Sequence, residues 1–100
     1  MTYYSVLEVT PTSDLWVQPY LETANKRVAY YGGKFLARTT SHQIIEGDRE
    51  APGLRIIIEW PSEQAALDFA NDKDYAPHLK ARLEGSISHH ALIKGKDELV

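Results

Sequence analysis

Hydrophobic positions in this chain switch repeatedly between a period of two and a helical period. Residues 3–9 are rich in aromatic and β-branched side chains and read as a strand, closed by Pro11-Thr12-Ser13. A short turn over residues 13–18 follows, with Ser13 as its predicted N-cap and Asp14 in its first turn. The main helix then runs over residues 19–31. Pro19 stands at its first position, where proline is tolerated, and Tyr20, Leu21, Ala24, Val28 and Tyr31 form one stripe. Gly32-Gly33 ends it, because glycine accepts the left-handed conformation of a helix C-terminus. A strand is predicted over residues 34–40, extended through 42–46, before a polar turn over 47–53. Residues 54–60 alternate more strongly than any other segment. Pro61 stops that strand, and Ser62 caps a helix over 63–71. Asp72-Lys73-Asp74 breaks the pattern, a further short helix covers 75–83, Gly85 ends it, and residues 86–94 form the last strand.

The order is therefore βαββαβ. It predicts an α+β, ferredoxin-like domain with a four-stranded antiparallel-type sheet, strand order 4-1-3-2, and the helices on one face. At 100 residues the chain predicts one such domain over 1–100, with a core over 3–95 and a tail over 96–100 that frays. Its 43% hydrophobic and 25% charged composition is that of an ordinary globular protein. A net charge of −3 with scattered lysines and arginines argues against nucleic acid as a partner, since phosphate binding needs a basic stripe. The absence of cysteine excludes disulfide and thiolate chemistry. With no leader pattern and no apolar run near the ~20 residues of a membrane span, a cytoplasmic protein without a membrane partner is expected.

The strand over 54–60 sorts the faces. Leu54, Ile56, Ile58 and Trp60 should meet the helices, leaving Arg55, Ile57 and Glu59 on the other side. That other side also collects Tyr4, Val6, Leu36 and Leu92. A sheet face open to water should be polar, so an apolar one predicts a homodimer joined sheet to sheet.

Tyr31-Gly32-Gly33-Lys34-Phe35-Leu36-Ala37-Arg38, then Glu46-Gly47, Ile58-Glu59-Trp60-Pro61-Ser62, Ala65-Ala66 and Asp74-Tyr75 resemble the bacterial family known as domain of unknown function 1330. The likeness runs from about Tyr3 to Gly95. It implies a dimeric α+β barrel in which two ferredoxin-like sheets pack face to face. Wider relatives of that architecture include cofactor-independent monooxygenases, haem-degrading enzymes and small isomerases or decarboxylases. The family has no established reaction, so no catalytic residue carries over. One departure is visible: the first helix carries Trp16 and Pro19, where the family pattern reads as a plainer helix.

Strand parity then places Glu8, Arg38, Glu59 and His90 on the face away from the helices. Glu8 and Glu59 would lie at the same ends of adjacent parallel strands, with Arg38 level with Glu59. Arg38 and Glu59 admit two readings: an anion-fixing arginine beside a carboxylate tuned for proton transfer, or an ion pair buried in the dimer that sets its register. On the helix side, His89 is expected among Ile87, Ala91 and Ile93, with Tyr20, Trp60 and Tyr31 nearby. Candidate catalytic residues are thus Arg38, Glu59 and His89, and candidate ligand-binding residues Tyr20, Tyr31, Trp60, Glu8 and His90. No metal site and no cofactor is expected: His89 and His90 are adjacent on a strand and point apart, and His42 and His78 lie on other elements. Two functional readings follow. One is a homodimer that binds or converts a small organic molecule in a cleft between sheet and helices; the alternative is a structural or interaction dimer with a filled core.

Overall fold

Alternation builds the centre of the sheet. In the computed structural model, which describes residues 1–100, β1 (Tyr3–Pro11) and β3 (Leu54–Trp60) lie side by side in the order β2-β3-β1-β4, with β2 at Lys34–Thr39 and β4 at Ser86–Lys94. Every neighbouring pair is antiparallel. One face of the two central strands presents Ser5, Leu7, Val9, Ile56, Ile58 and Trp60, all buried. The helices α1 (Val17–Tyr30), α2 (Glu63–Ala70) and α3 (Ala76–Glu84) cover that face. Ala24, Val28, Ala66 and Phe69 close the core from above. The architecture is the expected ferredoxin-like α+β arrangement. No helix is long and apolar enough to cross a membrane.

Three local outcomes differ from the sequence expectation. Helix α1 starts at Val17 without a side-chain cap, so Pro19 is its third residue and Ser13 caps nothing. Proline is tolerated there because the first four helical N–H groups have no intrahelical partner anyway. Strand β2 ends at Thr39, whose hydroxyl accepts the Ser41 amide at 2.9 Å and turns the chain. The expected extension through 42–46 is instead part of an irregular connection over residues 40–53. The third difference is a β-bulge in β2. Phe35 pairs with Ile58 but Ala37 pairs with Ile57, leaving Leu36 as the extra residue.

The punctuation behaves as expected. Ser62 Oγ accepts the Ala65 amide at 3.1 Å and starts α2. Gly32 adopts φ +80° after α1, and the Gly33 amide returns to the Val28 carbonyl at 2.9 Å. Gly33 has a second reason to be glycine: a Cβ there would stand 2.6 Å from Trp60 Cζ3 and 2.7 Å from Val28 Cγ1.

Candidate functional site

Between α1 and the sheet lies a cavity of about 320 Å³. Its floor is the apolar face of β1 and β3, and its roof is the stripe of α1 that includes Tyr20, Ala24 and Val28. Thirteen of its sixteen lining residues are hydrophobic, and the other three are Asn25, Arg38 and Arg82. No carboxylate lines it, although the chain as a whole is acidic.

Arg38 reaches this cavity because of the bulge. Strand alternation would send it to the open face, but the extra residue at Leu36 reverses the parity, so Arg38 pairs with Ile56 and joins the helix side. Its Nη1 donates to Asn25 Oδ1 at 2.7 Å, and the guanidinium carbon sits 3.8 Å over the Phe35 ring. The expected Arg38–Glu59 pair therefore does not form. Glu59 stays on the open face, opposite Lys34 on one side and Tyr4 on the other.

Arg82 is the more unusual group. It lies on α3, is 3% exposed, and its Nε and Nη1 have no hydrogen-bond partner. Its guanidinium carbon stands 5.6 Å from the Tyr20 ring centroid. None of the molecule's three ion pairs involves it. Sequence reasoning missed it, yet the signal was present. Tyr75, Leu79 and Arg82 follow at spacings of four and three, so Arg82 occupies a core-facing position of an amphipathic helix.

Tyr20 is in the cavity wall, and its hydroxyl meets that of Tyr75 at 2.7 Å. Burial first, and then proximity to Tyr20, pushes the Tyr75 phenol far up, so it stays protonated. Trp16 lies edge-on to Tyr20, at 5.4 Å between centroids, and its indole N–H donates to the Gly85 carbonyl at 2.9 Å. This contact clasps the start of α1 to the end of α3. A Cβ at residue 85 would collide with the Trp16 ring.

The remaining candidates go elsewhere. Trp60 is 1% exposed and sits beside the cavity, tilted against Phe69 with 5.4 Å between centroids, its indole N–H donating to Ser5 Oγ at 2.8 Å. His90 shares that Ser5 hydroxyl from the other side, Nε2 to Oγ 2.8 Å. It faces the helices, opposite Leu7, and His89 lies opposite Glu8 on the open face. The expected placement of the two histidines is thus reversed, and Leu92, expected on the open face, packs against the core. Burial, reinforced by the Arg82 charge, lowers the His90 pKa and keeps the ring neutral.

Tyr31 is turned to a structural task. Its hydroxyl donates to Asp72 Oδ2 at 2.7 Å, beside Arg27 Nη2 at 2.6 Å and Nε at 3.0 Å. Asp72 Oδ1 accepts the amides of Asp74 and Tyr75 and so opens α3. Glu8 and Glu59 do not share one end of the sheet, because β1 and β3 run antiparallel and Glu8 faces Arg55 in the register. Arg55 and Arg49 approach Glu8 at 3.8 and 3.9 Å.

No curated protein matches the chain in sequence. Among solved structures it is similar to RPA0582, a protein of unknown function from Rhodopseudomonas palustris. The TM-score is 0.77 at 16% identity, over 96% of this chain and 83% of that one. It is also similar to SnoaB, a cofactor-independent oxygenase from Streptomyces nogalater, with a TM-score of 0.56 at 19% identity over 98% and 94% of the two chains. An antibiotic biosynthesis monooxygenase gives 0.59 at 14% identity, over 97% of this chain and all 100% of that one. At these identities the likeness is one of fold, and function has to be argued from the site. The family itself is set by sequence: residues 2–96 match the profile of the domain of unknown function DUF1330, and the chain belongs to that family.

Proposed function

We propose that this protein is a homodimer that holds a small, largely apolar organic molecule in the cavity between α1 and the sheet. The observation that carries the reading is the cavity itself. At about 320 Å³ with thirteen hydrophobic lining residues, it falls at the lower end of the roughly 300–1,000 Å³ typical of small-molecule sites, which are apolar with a few placed polar groups. A core of this size is normally close-packed, so space of this kind is unusual without a ligand. A purely structural dimer with a filled core leaves the space unexplained.

The apolar side of the sheet supports the dimer. Val6, Leu36, Ile57, Ile87 and Ile93 are each between 38% and 59% exposed there, forming a patch of the kind that marks an interface. A second copy, offering the same face, covers it.

The cavity reading is tested with N-phenyl-1-naphthylamine, an uncharged fluorophore that brightens in apolar surroundings. Saturable enhancement is expected at one probe per chain. Ala24→Leu, which places a larger side chain in the roof, should abolish it while the circular dichroism spectrum stays unchanged. Absence of saturable binding to the unmodified protein would overturn the reading.

A further inference from the structure

We infer that the molecule held in the cavity is an organic monoanion, with a carboxylate or an equivalent planar oxyanion seated on Arg82 and an apolar body lying beneath α1. The inference rests on the cavity reading and adds the chemical class of the ligand and the residue that selects it.

The argument starts from an unpaired charge. Arginine does not give up its proton in a protein, so Arg82 is a cation wherever it lies. Removing a charge from water is costly unless a counter-charge and hydrogen bonds replace the lost hydration. Here the residue is 3% exposed, and the buried Nε and Nη1 have no acceptor. The protein supplies no partner. The groups around Arg82 are the Tyr20 ring, the Tyr20–Tyr75 hydroxyl pair and His90, none of them a carboxylate. The one buried carboxylate of the chain, Asp72, is already occupied by Arg27 and Tyr31. An arginine needed only for packing would have found an acceptor at the surface or been replaced by a long apolar residue.

The fork of donors fixes the shape of the missing group. A carboxylate engages a guanidinium through a parallel pair of N–H bonds, Nε with Nη2 along one edge or Nη1 with Nη2 along the other, so each of the two unpartnered donors lies on an edge that fits one. Tyr20 adds to this end of the cavity. In its pair with Tyr75 one hydroxyl donates to the other, which leaves one O–H to be given to a ligand oxygen. The other end differs. Arg38 already donates to Asn25 and stacks on Phe35, and it is exposed, so its charge is largely met by protein and water. One anionic group at the inner end and an uncharged body toward β2 is the ligand these walls fit.

A matched pair of probes tests this on the unmodified chain: 2-naphthoate and its uncharged amide, 2-naphthamide, titrated by calorimetry at neutral pH. The acid should bind about tenfold or more tightly than the amide, as expected for charge-assisted hydrogen bonds to a desolvated arginine. Arg82→Met should remove that preference, and Arg82→Lys should restore part of it, while binding of N-phenyl-1-naphthylamine survives in both. Equal binding of acid and amide to the unmodified protein, with N-phenyl-1-naphthylamine still bound, would overturn the inference and leave the cavity reading standing. A preference retained in Arg82→Met and lost in Arg38→Met would also overturn it, by moving the anion to the other arginine. Failure of all three probes to bind would remove the cavity reading and the inference together.

Discussion

Asp72 illustrates how much one buried carboxylate can organise. It accepts Arg27 and Tyr31 from α1 on one oxygen and two backbone amides at the start of α3 on the other. The Arg27 hydrogen bonds first, and then that from Tyr31, pull its pKa from 3.8 to about 2. Since the folded pKa lies below the unfolded one, the unfolded chain takes up the proton first as pH falls. The stabilisation is therefore complete above pH 3.8 and is lost as pH drops through about 2. Its size is on the order of 2 kcal/mol, from about 1.4 kcal/mol per unit of pKa. Asp72→Asn should be less stable than the parent by about that amount at neutral pH, with the gap closing in acid. Urea unfolding followed by circular dichroism at several pH values checks this; parallel stability curves for the two proteins would contradict it. At this scale the sequence was only partly legible. Tyr31 was recognisable as a polar aromatic on a buried stripe, but its partner lay in Asp72-Lys73-Asp74, a segment that reads simply as a break. Only the arrival of α1 over that loop makes Asp72 a hub.

Elements were legible where local chemistry is decisive. The period-two run at Leu54–Trp60 and the Pro61-Ser62 stop-and-cap placed β3 and α2, and Gly85 placed the start of β4. What alternation did not reveal was which face each strand offers. In β2 the bulge at Leu36 inverts the parity beyond it. In β4 the more apolar set, Ile87, Ala91 and Ile93, points away from the helices, and the helix side receives Ser88, His90 and Leu92. The ordinary rule assigns the apolar set to the helix-covered core, and that assignment reverses His89 and His90. Tight junctions between elements are more predictable. Gly33 lets the α1–β2 turn lie under Trp60, with no room for a methyl group. Gly33→Ala should lower unfolding free energy by about 1–3 kcal/mol, the usual cost of overpacking, measured as a shift of the urea midpoint at constant slope. An unchanged midpoint would mean that the turn yields more easily than its contacts imply.

For the whole molecule, the question is what lies against the sheet. The body measures 45 × 36 × 18 Å, a slab with helices on one side only. Ile57 stands near the middle of the uncovered side, opposite Val6 on β1 and Ala37 on β2. Sedimentation equilibrium should give twice the 11.3 kDa chain mass for the unmodified protein. Ile57→Asp should give the single-chain mass with an unchanged circular dichroism spectrum, because the side chain is outside the core. A parent protein sedimenting at 11.3 kDa would remove the dimer. The fold, the family and the apolar patch were all readable from the sequence. A cleft between sheet and helices was also expected, but Arg82 in its wall was not, because an arginine left there without a partner depends on where α3 crosses α1.

The extra residue in β2 also governs how relatives should be aligned. Side chains on a strand point alternately to its two faces, so shifting the chain by one position exchanges everything beyond that point. A relative lacking the equivalent of Leu36 would turn its counterpart of Arg38 toward the uncovered side of the sheet and offer the cavity a neighbour instead. At 16% identity to RPA0582, a gap misplaced by one column there would match a cavity-wall residue with one on the uncovered sheet face. Within this family, correspondence between functional positions should be drawn from strand pairing, with sequence columns taken second.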